Sequence, residues 1–236
     1  DISPCRTPRR CQCEFAGGGG DMSLNRTAIE YCDFTWNPIF GCVCGCSYCY
    51  ARRLAKRLPC PECRAFKPHV HPERFGDPAK RKKPARIFVC DMGDIFGDGV
   101  REEWIERVYE AIVAAPQHTF QLLTKTPGGP AFQIRWPSNV WLGVTADSWG
   151  GLNRIGILQN TSRAAVNFIS FEPLLAPLQP KLTGIDWIII GAQTRPEIQP
   201  EREWVKWLIT EARRVGAAVF LKDNLKWAVK VQEFPK

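Results

Sequence analysis

The sequence predicts an α/β fold: a partial (βα) barrel of six or seven parallel strands with outer helices, TIM-like in plan. Three observations carry that expectation. Short runs rich in β-branched and aromatic residues recur along the chain, several almost continuously apolar, as parallel strands covered on both faces require. Amphipathic stretches of helical period lie between them, and strand–helix–strand repetition implies right-handed crossovers in either a doubly wound sheet or a barrel. Polar or charged residues (Asp94, Lys125, Asp147, Glu172, Gln193 and Lys222) stand at or just beyond the carboxyl ends of different runs, the edge where such folds hold their active sites.

Residues 1–21 contain Pro, Arg, Cys and a four-glycine run without apolar periodicity, so they read as a flexible extension, with residues 22–236 as one domain. The expected strands are 28–36 (AIEYCDFTW), 85–92 (ARIFVCDM), 118–125 (HTFQLLTK), 139–147 (NVWLGVTAD), 165–173 (AVNFISFEP), 186–193 (DWIIIGAQ) and 217–223 (AAVFLKD). A helix over 101–115 places Trp104, Ile105, Val108, Ile112 and Val113 on one stripe, with Glu102 and Glu103 near the positive end of its dipole. A second, over 202–216, aligns Trp204, Val205, Leu208, Ile209 and Ala212 and meets Gly216 as its stop. A third, over 46–58, ends before Pro59.

The chain has 236 residues, enough for one sizeable core, and no apolar run long enough to span a bilayer. Without the order of a signal peptide, a cytoplasmic location is expected. In that reducing setting, eleven cysteines point to metal or redox chemistry rather than a disulfide framework. The net charge of +8 is uneven, with Arg52, Arg53, Lys56, Arg57, Arg64, Lys67, Arg74 and the run 80–83 all preceding Arg86. Such a segment suits a phosphate-rich partner, DNA or RNA, through counterion release, although a solvated basic surface has the same composition.

The stretch GCVCGCSYCYARR (41–53) sets Cys42, Cys46 and Cys49 in a CxxxCxxC spacing between the first expected strand and the first helix. Three thiolates on one tight turn can hold three irons of a 4Fe-4S cubane and leave the fourth iron open to a non-protein ligand. The alternative is a structural zinc knot in which Cys44 replaces or joins the three.

With the aromatic Tyr48 before the last cysteine, this loop resembles the radical S-adenosylmethionine superfamily, whose signature is CxxxCxΦC. The resemblance implies a 4Fe-4S cluster on Cys42, Cys46 and Cys49, with S-adenosylmethionine chelated at the open iron and cleaved by one electron from the cluster. The resulting deoxyadenosyl radical takes a hydrogen atom from substrate. It also implies an electron donor such as flavodoxin or ferredoxin. DMGD (91–94) stands where the superfamily has a glycine-rich motif for the methionine amino group, although it departs from the common Gly-Gly-Glu form. Gly93 would then allow close approach and Asp94 accept the ammonium hydrogens. WIIIGAQ (187–193), with Gly191 and Gln193, resembles the strand that lies against adenine, and Thr145 and Ser170 become ribose or substrate contacts. The wider pattern TWNPIFGC, RIFVCDMGDIF, NVWLGV, FISFEPLL and FLKD looks like a phage-associated and bacterial family of small proteins of this superfamily. Spore photoproduct lyase is a more distant likeness, which suggests nucleic-acid repair or modification.

Lys125, Glu172 and Lys222 are the candidate catalytic residues. The lysines would bind a substrate phosphate or carboxylate, or else pair with Glu172 or Asp147. CPEC supplies Cys60 and Cys63 as half of a zinc site, with Cys11 and Cys13 or His69 and His71 as partners; two solvent-facing thiols are the plainer reading. Cys32 and Cys90 read as small core residues inside strands, and Trp36, Trp141 and Trp187 as packing. The rival to an enzyme is a non-catalytic, zinc-stabilised nucleic-acid-binding protein.

Overall fold

A computed structural model describes residues 24–236; the expected extension, Cys11, Cys13 and Met22 lie outside these residues. Eight strands form one sheet in sequence order: β1 (Asn25–Arg26), β2 (Phe34–Trp36), β3 (Arg86–Val89), β4 (Thr119–Thr124), β5 (Val140–Thr145), β6 (Val166–Phe171), β7 (Trp187–Ile190) and β8 (Ala218–Leu221). Strand β1 pairs antiparallel with β2, and all later neighbours pair parallel. Because every crossover steps in the same direction, no strand order reverses as in a doubly wound sheet. The result is an α/β sheet consistent with a partial barrel. The helices are α1 (Tyr50–Ala55), α2 (Pro61–Ala65), α3 (Asp77–Lys80), α4 (Glu102–Val113), α5 (Gly151–Thr161) and α6 (Arg202–Val215). No helix among the described residues is long and apolar enough to cross a membrane.

The two faces of the strands bury different partners, alternating with the pleat. Ile87, Val89, Leu122, Val140, Leu142, Ile169, Ile188, Ile190, Val219 and Leu221 join Val108 and Ile112 of α4, Ile155 and Leu158 of α5, and Val205 and Leu208 of α6 in the main core. Phe88, Phe168, Trp187, Ile189 and Phe220 belong to a separate inner cluster with Tyr31, Leu123, Trp141 and Phe234. Trp187 is its hub, with ring centroids 5.5–6.1 Å from Tyr31, Trp141, Phe168, Phe220 and Phe234. Gly143 makes room for it: a Cβ there would stand 2.6 Å from the Phe168 ring. The carboxy-terminal tail covers the β8 edge, with Leu221 N donating to Val231 O and Glu233 N to Val219 O.

Helices α4 and α6 arise where their apolar stripes place them, and α6 stops at Gly216 with φ 78°. Two elements fall furthest short of their expected bounds. Residues 28–33 turn instead of extending, because Tyr31 enters the inner cluster and its carbonyl accepts from buried Gln121 Nε2 (3.1 Å) rather than from a neighbouring strand. Cys32 is thus buried in a turn, and Cys90 lies just past β3 with φ 59°, so neither is a strand residue. The helix expected over 46–58 begins at Tyr50, where the Cys49 side chain caps it by accepting from Arg52 N. Helix α5 and the structure of 59–80 were not anticipated. That segment holds α2, a ribbon pairing Ile39–Phe40 with His69–Val70, and α3, and it buries Phe66 and Phe75.

Candidate functional site

The cysteine loop follows β2 and the Ile39–Phe40 ribbon, at the carboxyl edge of the sheet. Two glycines seat it there. Gly41 forms a parallel bridge with Gly93 of the DMGD loop, and Gly41 N donates to Met92 O (3.0 Å). A Cβ on Gly93 would lie 2.9 Å from Gly41 O, and one on Gly41 (φ 91°) would lie 2.2 Å from Lys67 O, so only glycine admits this stacking of three backbones. Within the loop Cys42, Cys46 and Cys49 are half-buried, whereas Val43, Cys44, Gly45 and Ser47 are exposed. Amides already point at two of the sulfurs: Cys44 N at Cys42 Sγ (3.4 Å) and Arg52 N at Cys49 Sγ (3.3 Å). Arg52 also donates to Cys42 O (3.1 Å), while its Nε is buried without a partner among the described residues.

Tyr48 ties the loop to the strand ends. Its hydroxyl donates to Asp147 Oδ2 and accepts from Lys125 Nζ, and Lys125 also reaches Asp147 Oδ2 at 2.6 Å. Arg154 from α5 donates to the other oxygen of Asp147 (3.2 Å) and to Thr145 O (2.9 Å). Burial raises the Asp147 carboxyl, but hydrogen bonds from Lys125 and Tyr48 outweigh it and hold the pKa at about 2. Burial and the Asp147 charge push the Tyr48 phenol up, so it remains a donor.

A second ion pair joins the residues that follow β6 and β8. Lys222 Nζ lies 2.5 Å from Glu172 Oε1 and 5.8 Å from the Tyr31 ring centroid. Burial alone would lower the lysine's pKa; Glu172 beside it reverses the sign and raises it. Gly191 leaves the space: a Cβ there would stand 3.1 Å from both Glu172 Cγ and Lys222 Cδ. The candidate catalytic residues Lys125, Glu172 and Lys222 are thus brought to one edge, with each lysine in an ion pair.

Thr145 ends β5, Ser170 is the penultimate residue of β6, and both are buried; buried Gln193 donates to Pro196 O (2.9 Å). Asp94 has both carboxylate oxygens engaged within the protein. Oδ1 accepts from Thr124 Oγ1 (2.6 Å) and Phe96 N (3.1 Å), and Oδ2 from Lys125 N (2.9 Å). It fastens the DMGD loop to β4. Asp91, in the same motif, was not singled out by sequence reasoning. Asn37 Nδ2 donates to its Oδ1 (2.6 Å), Tyr50 OH lies 3.3 Å from its Oδ2, and burial raises its pKa. Asn37, Tyr50 and Arg154 were missed as well. The available signal was the crowding of polar residues around TWN, CxxCY and DMGD, whose convergence needs the fold.

Beside the loop lies a second cluster. Ligand atoms of Cys60, Cys63 and His69 fall within 4.8 Å of one another, so this group could hold a metal. His71 adjoins it, with Nε2 3.4 Å from Cys63 Sγ. Burial, reinforced by His69, lowers the His71 pKa to about 4, so the ring is neutral near pH 7 and its 3.3 Å contact with Glu73 is a hydrogen bond rather than an ion pair.

No curated protein and no solved structure matches the chain. A family match covers residues 26–234, from β1 to the tail that covers β8. The chain belongs to the family described as "Protein of unknown function (DUF5131)".

Proposed function

We propose that this protein is a radical S-adenosylmethionine enzyme, with Cys42, Cys46 and Cys49 holding a 4Fe-4S cluster at the mouth of the partial barrel. The carrying observation is the selective half-burial of these three thiols beside exposed Cys44, on a loop locked to the strand ends. The donor set suits the cluster. Amide N–H groups already face two of the sulfurs, and the orphaned Arg52 Nε is a donor that a nearby anionic group would satisfy. When bound, the cluster and S-adenosylmethionine supply one-electron cleavage of a sulfonium, yielding a radical that takes hydrogen from substrate.

The chain's own residues orient and enclose that chemistry. Gly41 and Gly93 hold the loop against the DMGD turn, and Tyr48, Lys125 and Asp147 fix its far side. Asp94 is the carboxylate of DMGD assigned to the ammonium group, held in place by Thr124 Oγ1, Phe96 N and Lys125 N as Asn37 and Tyr50 hold Asp91. Lys222, Glu172 and Gly191 meet at the ends of β6, β7 and β8 and are assigned to substrate. DNA or RNA is the substrate class to test first, supported by the exposed Lys56, Arg57, Arg64 and Lys67 beside the loop. A flavodoxin or ferredoxin would supply the electron, and the phage-associated likeness suits nucleic-acid repair or modification.

Anaerobic reconstitution tests the reading. Iron and sulfide should be retained, a paramagnetic signal should appear on reduction, and dithionite should release methionine and 5′-deoxyadenosine from S-adenosylmethionine. Protein that retains no iron overturns it. The Cys60–Cys63–His69 group supports a second reading, a zinc-stabilised nucleic-acid-binding protein without catalysis. That reading requires zinc without iron, no cleavage of S-adenosylmethionine, and salt-sensitive binding to oligonucleotides.

A further inference from the structure

We infer that Cys60, Cys63, His69 and His71 bind one structural zinc ion, and that this ion holds the segment that clamps the cysteine loop in place. Local structure creates the ligand set. Cys60 caps α2 and Cys63 lies one turn on, so i and i+3 share a face. His69 is in a strand and His71 follows two residues later, so both imidazoles turn to the same side. Each ring also has its Nδ1 engaged, His69 with Lys67 O (2.8 Å) and His71 with Glu73 Oε1 (3.3 Å). Both Nε2 atoms therefore face Cys63, in the outer-sphere arrangement that fixes ring orientation in metal sites.

The distances match zinc. Bonds of about 2.3 Å to sulfur and about 2.0–2.1 Å to nitrogen, at a tetrahedral angle, put sulfur and nitrogen about 3.6 Å apart. Cys63 Sγ lies 3.5 Å from His69 Nε2 and 3.4 Å from His71 Nε2. Cys60, Cys63 and His71 are buried and His69 is half-buried, and a closed set of two thiolates and two imidazoles selects zinc and leaves no position for substrate.

The chain between the two ligand pairs presses on the cysteine loop. Cys42 N donates to Phe66 O (3.1 Å), Lys67 O abuts Gly41, and His71 N donates to Pro38 O (2.8 Å). Phe66, Cys60 and Cys63 share a small core with Phe40, Ala51, Ala55 and Met92. The zinc site stands by itself, whereas its effect on iron loading rests on the radical-enzyme reading above.

The test begins with the unmodified full chain loaded with zinc and desalted. X-ray absorption at the zinc edge should report two sulfur and two nitrogen neighbours at about 2.3 and 2.0 Å, and elemental analysis ~1 zinc per chain. Retention of no zinc, an all-sulfur shell or an oxygen shell overturns the site. Cys63→Ser and His71→Ala should each lower retained zinc about tenfold or more, while a Cys42, Cys46 and Cys49 to Ala triple variant keeps it; the reverse pattern also overturns the assignment. If the zinc-site variants load iron as well as the unmodified chain, the clamping role fails and the zinc site survives. If the unmodified chain binds zinc but no iron, the radical reading fails alone.

Discussion

Gly41 and Gly93 lie back to back, so the backbone that leads into the cysteine loop and the backbone of the DMGD turn touch without intervening side chains. Such contact couples two loops from different crossovers more tightly than side chains could, and it makes the site sensitive to a single methyl group.

Gly41→Ala combines a left-handed φ of 91° with a 2.2 Å clash against Lys67 O. Neither can be relieved by rotating a side chain, so the expected loss of stability is about 3 kcal/mol or more. Gly45→Ala has φ 69° but would meet only an ordinary 3.9 Å contact with Val43 O, and should cost about 1 kcal/mol. Urea unfolding of the two variants checks the ranking, and equal losses would count against the stacking argument.

Cys46→Ala should lose both iron and S-adenosylmethionine cleavage, whereas Cys44→Ala should keep both. Cys44 is exposed, unlike the three half-buried thiols, and its side chain is already engaged by the Cys42 thiol and by Thr126 Oγ1 (4.0 Å). Iron per chain and the reduced-state paramagnetic spectrum read the difference. Parallel loss in both variants would require a different ligand set.

Asp147 gives the site an acid-sensitive component. Its carboxyl falls from an ordinary 3.8 to about 2 in the folded protein, so the unfolded chain binds the proton first as pH drops. The stabilisation is therefore complete above about pH 4 and is lost as pH falls toward 2, a contribution of about 2 kcal/mol. The stability gap between the unmodified protein and Asp147→Asn should close across that window, measured by urea titration at successive pH values. A constant gap would mean that the carboxylate is not held by Lys125 and Tyr48.

Lys222 and Glu172 form a largely buried pair, with side chains 14% and 24% exposed. Lys222→Met leaves a carboxylate without its partner and should cost about 2–3 kcal/mol, while adding Glu172→Gln should recover about 1–2 kcal/mol of that loss. A double-mutant cycle on thermal or urea unfolding measures the coupling. Strict additivity would show that the two groups act separately.

The strands, two of the long helices and the three spaced cysteines were legible in the sequence because each is a local pattern. Trp187 to Ile190 reads as a strand from composition alone, and the stripe of α6 and its Gly216 stop are set by residues three and four apart. The stretch 28–33 misled the reading for the converse reason. Its β-branched and aromatic content suits a strand, but Tyr31 gains more by entering a cluster whose other members lie far away in the chain. Asp94 and Asp91 differ by three positions and are chemically alike. Which donors hold each one depends on Thr124 and Lys125 arriving at Asp94 and on Asn37 and Tyr50 arriving at Asp91, encounters that no local pattern records.

By itself, then, the sequence determined the strand–helix alternation, the cysteine spacing and the basic segment, since these depend on neighbours along the chain. Tertiary structure decided that Lys125 pairs with Asp147 and Lys222 with Glu172, that Gly41 meets Gly93, that Cys60, Cys63 and His69 converge, and that His71 lies against Cys63. Those relationships follow from parallel strands ending at one edge and from loops packed across them. Their energies depend on distances between residues that only chain closure brings together.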